Sequence, residues 1–221
     1  PPAGVRAADI IEDEPDGSGG FGARYTRTHS FADIGVTVAR TRQSVPYYRV
    51  SNGDLETVYP RSWAFGADAA VDAAGATWRA EVVYSSNNPV TRKGSFDYST
   101  VEGIAWGLGV EMHPGDGDTR INVQLVGSNL IDTPSVIDRT DAYALNGEID
   151  MPFDRARWRA SLDFYVDLDE QGTYLNPEIA FLGWEPHELY LALHYFGGDD
   201  ETLGGFYEDD SSINLGWRAS F

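Results

Sequence analysis

The chain contains no cysteine, only two methionines, and 16 lysines and arginines against 35 aspartates and glutamates. Without cysteine there is no disulfide scaffold, no thiolate zinc site and no cysteine nucleophile. The formal net charge of -19 excludes a nucleic-acid binder, which must present a basic face to phosphate. No stretch approaches the ~18 consecutive apolar residues of a transmembrane helix. Pro1-Pro2 is followed by neither the basic nor the apolar region of a secretory leader. The 221 residues suit one domain, or two small ones, at roughly 100–200 residues each. A mean hydropathy of -0.35 suggests solubility. Membrane strands, however, average a polar and an apolar face and give the same value.

What is present is a period of two. Ile121, Val123 and Leu125 alternate with Arg120, Asn122 and Gln124. Trp158, Ala160, Leu162, Phe164 and Val166 alternate with Arg159, Ser161, Asp163, Tyr165 and Asp167. Such dyads make strands with one apolar and one polar face, and helical spacing fits none of them. The chain is expected to be all-β, with strands at roughly 21–29, 31–43, 63–74, 77–86, 101–113, 118–130, 141–153, 157–168, 173–183, 188–197 and 210–221. Short connections (29–31, 74–76, 114–117, 154–156, 184–187) alternate with longer polar ones (44–62, 87–100, 131–140, 198–209), 169–172 being the short exception. Short turns at one end and long loops at the other are the pattern of an antiparallel up-and-down transmembrane β-barrel.

Aromatic residues cluster near strand ends at Trp78, Phe153, Trp158, Trp184 and Trp217, as interfacial girdles do. The opposite face carries charge along its whole length, which a dry core would not tolerate unpaired. A wet interior and a lipid-facing exterior accommodate both. A soluble or surface-attached β-sandwich that binds carbohydrate, with the apolar face inward, is the alternative.

The last strand, with Ile213, Leu215, Trp217, Ala219 and Phe221 at every second position, resembles the C-terminal signal of Gram-negative outer-membrane proteins. The resemblance implies recognition by the outer-membrane assembly machinery. A looser likeness rests on Phe21-Gly22-Ala23-Arg24-Tyr25, Pro46-Tyr47-Tyr48, Phe65-Gly66-Ala67-Asp68, Trp78-Arg79-Ala80-Glu81 and the segment 114–122. These resemble the C-terminal part of large porin-like proteobacterial barrels, which implies a fold and the outer membrane as the compartment more than a substrate. In that class the strand count is even and both termini are periplasmic. Eleven strands are odd. The expectation is therefore a C-terminal portion of a larger barrel, its further strands coming from sequence outside this chain. Residues 1–20 would be an acidic, Gly-rich extracellular loop or tail, and 21–221 the barrel strands.

On the inward parity, Arg24, Arg79, Arg120, Arg159 and Arg218 fall near the short-turn end, with Glu81, Glu111, Glu148 and Asp150 at neighbouring levels. Pairing of Arg79 or Arg120 with Glu111, and of Arg159 with Asp150, is expected. The set reads either as a charged ring that screens solutes or as a salt-bridge ladder that stiffens the wall. Higher up, Asp33, Asp68, Glu102, Asp163, Asp167 and Glu178 form an acidic wall that would disfavour anions. Tyr165, Tyr190 and Phe196 also point inward, as a surface for sugars or apolar solutes or as packing for a plug.

The acidic runs Glu12-Asp13-Glu14-Pro15-Asp16, Asp199-Asp200-Glu201 and Glu208-Asp209-Asp210 lack the spacing of a calcium loop and read as solvated loops. Facing outward, they would meet lipopolysaccharide phosphates through divalent ions. Of the four histidines, His29, His113 and His187 lie by the short turns. Only His194, with Ser212 or Asn214 on the next strand, offers a hydrolytic relay. No Gly-x-Ser-x-Gly elbow occurs. The expected function is passive diffusion of small solutes through an outer-membrane channel, with no cofactor, no metal and no catalytic residue. Lipid, lipopolysaccharide and the assembly machinery are the expected partners, and self-association into oligomers is left open. A barrel-embedded hydrolase is the third reading.

Overall fold

Alternating side chains build strands here almost without interruption. A computed structural model describes residues 10–11, 19–51, 54–95, 97–115 and 118–219. In chain order the strands are β1 (Ile10–Ile11), β2 (Phe21–Thr28), β3 (Asp33–Arg42), β4 (Tyr47–Ser51), β5 (Asp54–Val58), β6 (Arg61–Ala73), β7 (Ala76–Thr91) and β8 (Tyr98–Met112). There follow β9 (Arg120–Ile131), β10 (Asp141–Phe153), β11 (Trp158–Asp167), β12 (Thr173–Trp184), β13 (His187–Gly197), a single-turn helix α1 (Leu203–Phe206) and β14 (Ser212–Ala219). No helix among the described residues is long and apolar enough to cross a membrane.

Eleven of these strands form one antiparallel meander in the order β14-β13-β12-β11-β10-β9-β8-β7-β6-β3-β2, each paired to its neighbours in sequence apart from the insertion of β4 and β5. All eleven expected strands are present. Expected closure into a barrel is not seen: β2 and β14 are the two edges of the sheet, each paired on one side only. Both edges run from the long-loop end to the short-turn end, so a direct pairing of one with the other would be parallel. Antiparallel closure needs a strand of the opposite direction between them.

The long connections hold more structure than their polarity suggested. Residues expected to be loop at 44–62 contain the hairpin β4–β5, which with β1 makes a separate three-stranded sheet. Most of 87–100 is an extension of the β7–β8 hairpin past a bulge between Ser85 and Asn88. At the other end, Ala74 and Gly75 both adopt positive φ (54° and 77°), the backbone that a two-residue hairpin with right-handed strand twist requires.

Register divides the sheet into two unlike faces. One parity carries Val36, Phe65, Val82, Leu108, Leu191 and Leu215, and its large apolar side chains stand exposed, Leu215 at 82% and Ile213 at 74%. The other parity carries the charges, and it also holds the buried apolar residues Val90, Val101, Ala144, Ala180 and Ala192. A single curled sheet produces that asymmetry, because side chains converge on the concave face and splay on the convex one. That asymmetry, with Arg24, Arg159 and Arg218 each reaching a carboxylate across an intervening strand, identifies the polar face as the concave one.

Two aromatic belts cross the apolar face. Near the short turns, Phe153 meets Trp158 (6.3 Å between ring centroids), Trp158 meets Phe181 (4.8 Å), and His187 lies between Trp184 (5.0 Å) and Trp217 (5.3 Å). Toward the long loops, Phe21, Trp63, Phe65 and Tyr84 contact one another in turn, and Trp106 meets Tyr143. The second belt escaped the sequence reading. On β10 the belts are marked by Phe153 and Tyr143. Ten residues of strand span about 33 Å, which at a tilt of ~40° rises about 25 Å, the height of an outer-membrane apolar band.

Candidate functional site: the charged face

Every arginine expected on the polar face is there, and each is held by carboxylates one or two strands away. Arg79 on β7 meets Glu111 on β8 at 3.0 Å, and Arg120 on β9 lies 3.9 Å from the same Glu111 and 3.3 Å from Glu148 on β10. Arg159 on β11 reaches Asp150 (3.8 Å), Glu178 (3.5 Å) and Glu188 (3.0 Å). Arg218 on β14 binds Glu178 at 2.7 Å and Glu188 at 2.5 Å, while its guanidinium lies 3.8 Å from the Tyr190 ring centroid. The expected pairs Arg79 or Arg120 with Glu111, and Arg159 with Asp150, all form. Glu188, which pairs with two arginines, was not singled out from the sequence. Its signal was available, because Glu188 shares the parity of Tyr190 and His194.

Arg24 forms a separate bridge. Its guanidinium crosses β3 to reach Asp68 at 2.7 Å and also donates to Thr37 Oγ1 at 3.0 Å. Gly35 makes this crossing possible, since a Cβ there would stand 2.6 Å from Arg24 Nη2 and 2.7 Å from both Asp68 oxygens. Beside the bridge lies a shallow pocket of about 360 Å³, lined by Arg24, Asp33, Asp68, Arg79, Glu81 and Asn122 among others. Among the described residues Asp33, Glu81 and Asp163 make no ion pair. Carboxylates outnumber arginines on this face, so its net charge is negative.

Glu102 departs from the expected acidic wall. It lies on the apolar face with Ile104 and Trp106, opposite Ile131 and hydrogen-bonded with Tyr84. Glu102 and Glu111 are nine residues apart, an odd number, and β8 is regular against β9 between them. The bulge that would bring both to one face falls on β7 instead.

Asp167 ends β11 under a clamp from the loop after β9. Arg139 lies 2.5 Å from Asp167 and 3.3 Å from both Asp169 and Glu170. Its guanidinium is held above its ordinary pKa, chiefly by the hydrogen bond to Asp167. The same loop is stitched to the β7–β8 extension through Lys93 N–H to Ser135 O (2.9 Å) and Ile137 N–H to Thr91 O (3.0 Å). Arg49 of β4 packs on Tyr98 with its guanidinium 5.5 Å from the ring centroid. Tyr47 has a raised pKa through burial and, secondarily, the charge of Asp138. The long connections therefore form a tied rim around one end of the sheet.

His194 and Ser212 are register partners, yet the His194 ring engages another group: its Nδ1 lies 3.0 Å from the Tyr174 hydroxyl. No group of three or more histidines and carboxylates is gathered to hold a metal ion among the described residues. Ile213, Leu215 and Trp217 share the exposed parity of β14. Phe221, the last residue of the expected assembly signal, lies outside the described residues, as do Glu12 to Asp16 and Asp116-Gly117. A scan against protein-family models finds no match for this chain, and a search of the curated proteins finds no match either.

Proposed function

We propose that the chain forms the wall of a porin-like channel in the outer membrane of a Gram-negative cell, through which small solutes diffuse passively. The observation that carries this reading is the inverted distribution of side chains. Large apolar residues stand exposed on the convex face, between two aromatic belts, while the arginine–carboxylate pairs of the strands and the buried Val90, Val101, Ala144, Ala180 and Ala192 occupy the concave face. In water the exposed face would be a large aggregation surface; against lipid it is the expected exterior. A β-sandwich would need a second layer over that face, and its exposed residues show that none of the described elements supplies one.

In this reading lipid and lipopolysaccharide contact the apolar face, and the exposed pattern of β14 serves the assembly machinery. The arginines stiffen the wall, and the excess carboxylates set the permeant charge. In planar bilayers the reconstituted chain is expected to give stepwise conductance, with a reversal potential favouring cations over anions. Silent bilayers at every protein concentration would overturn the channel reading.

A further inference from the structure

The chain has 35 acidic residues against 16 basic ones, yet one corner of its convex face carries only positive charge. Along β2, β3 and β6 the charged residues of that parity are Arg27, Arg40, Arg42 and Arg61, with no carboxylate among the described positions. Arg27 lies by the short turn; the other three meet at the long-loop end. Register sets Arg42 opposite Arg61, and Arg40 between Phe21 and Trp63. Opposed side chains on a sheet stand about 5 Å apart at Cβ, a spacing at which like charges repel. The Arg40 guanidinium lies 5.7 Å from the Trp63 ring centroid. Arg40 is exposed, while Arg42 and Arg61 are half-buried and each engages a further group of this chain. Glu102, the convex carboxylate of β8, lies beyond β7 and is hydrogen-bonded with Tyr84.

We propose that Arg40, Arg42 and Arg61 dock the phosphates of one lipid A, the membrane anchor of lipopolysaccharide, by direct guanidinium contact; this rests on the reading of the convex face as the lipid face. The level on the strands supports it. Arg40 stands beside Trp63 in the upper aromatic belt, and Arg42 and Arg61 lie two residues, about 7 Å, further toward the long loops. A guanidinium is costly in hydrocarbon, so arginines on this parity belong among headgroups, with their stems laid along apolar surface. Below them Val38, Val36, Phe65 and Tyr25 descend the same face as a surface for acyl chains. A guanidinium fork matches two phosphate oxygens, and direct contact of this kind needs no divalent ion as a bridge. A phosphomonoester carries a charge of about -1.5 to -2 at pH 7, and lipid A bears two of them on one disaccharide. Three clustered cations match that headgroup better than the single charge of a glycerophospholipid, which is the competing occupant.

The test is native mass spectrometry of the full chain released from detergent micelles. The probes are bisphosphoryl lipid A, monophosphoryl lipid A and phosphatidylglycerol, each with and without EDTA. One bisphosphoryl lipid A is expected to stay bound in EDTA, with phosphatidylglycerol at least about tenfold weaker and monophosphoryl lipid A between them. Arg40→Gln is expected to weaken lipid A binding about tenfold, and Arg40→Gln with Arg61→Gln about a hundredfold. Arg40→Lys, which keeps the charge and loses the fork, should fall between Arg40→Gln and the parent. Arg155→Gln, the same charge change on a short turn, should leave binding unchanged. Circular dichroism shows which variants fold, and if the double variant does not, the exposed Arg40 alone decides. Release of lipid A by EDTA, equal retention of phosphatidylglycerol, or parent-like binding by Arg40→Gln overturns the proposal. Lipid A held by a chain that gives no conductance would keep the site and remove the channel; conductance without lipid A binding would remove the site alone.

Discussion

At the scale of single residues, the ion pairs were legible because parity and strand position were enough to bring Arg79, Arg120 and Glu111 together. Their partners across two strands were not. Arg24 reaches Asp68 only because Gly35 leaves the space between them empty. Gly35→Val is expected to cost up to about 1 kcal/mol by displacing that half-exposed bridge, whose flexible ends can move aside. Gly66→Ala on the next strand, where a Cβ meets nothing closer than 3.5 Å, should be near neutral. Urea unfolding of the two variants in micelles checks the contrast. Glu178 makes a second pair of cases. It is only 12% exposed and holds both Arg159 and Arg218. Glu178→Gln should lose about 1–3 kcal/mol by leaving charged groups poorly paired. Asp163→Asn, which breaks no pair, should fall within about 0.5 kcal/mol of the parent.

Elements were read where alternation ran long enough to outweigh local noise. All eleven strands of the large sheet have at least eight residues. β4 and β5 are five residues each within a polar stretch, too short for a period to emerge. α1, Leu203-Gly204-Gly205-Phe206, has no helical sequence signal at all. It forms because the Thr202 side chain caps it and because Gly204 packs where a Cβ would stand 2.2 Å from Gly197 O. The edges were beyond parity altogether, since pairing between β2 and β14 depends on what lies between them. Exposed long edges are a liability in any sheet. In lipid, where unpaired backbone groups cost several kcal/mol each, they must be paired. Amide hydrogen exchange of the reconstituted protein should therefore protect the β14 amides that point away from β13 as strongly as those that point toward it. Rapid exchange confined to that side would show that the edge stays open.

At the scale of the whole molecule, a charge of -19 and a negative mean hydropathy average two opposed surfaces. The convex surface is apolar between aromatic belts; the concave surface and its rim carry the carboxylates. If the concave side conducts, cation preference should weaken as salt rises from 0.1 M to 1 M, because the screening length falls from about 10 Å to about 3 Å. Arg120→Glu with Arg159→Glu should strengthen that preference in reversal-potential measurements. An unchanged potential would leave those arginines a purely structural part.

The central claim is that one parity of each strand meets lipid and the other meets water. Because the chain has no cysteine, single cysteines report on this without background. They would be placed in turn at Ser212, Ile213, Asn214 and Leu215, and at Val123, Gln124 and Leu125, in protein reconstituted into vesicles. Labelling by a water-soluble maleimide should alternate, with Ser212→Cys, Asn214→Cys and Gln124→Cys reactive and the others protected. A fluorophore on the protected positions should be quenched by spin-labelled lipid. Uniform labelling along both strands, or protection of the polar parity, would contradict the account.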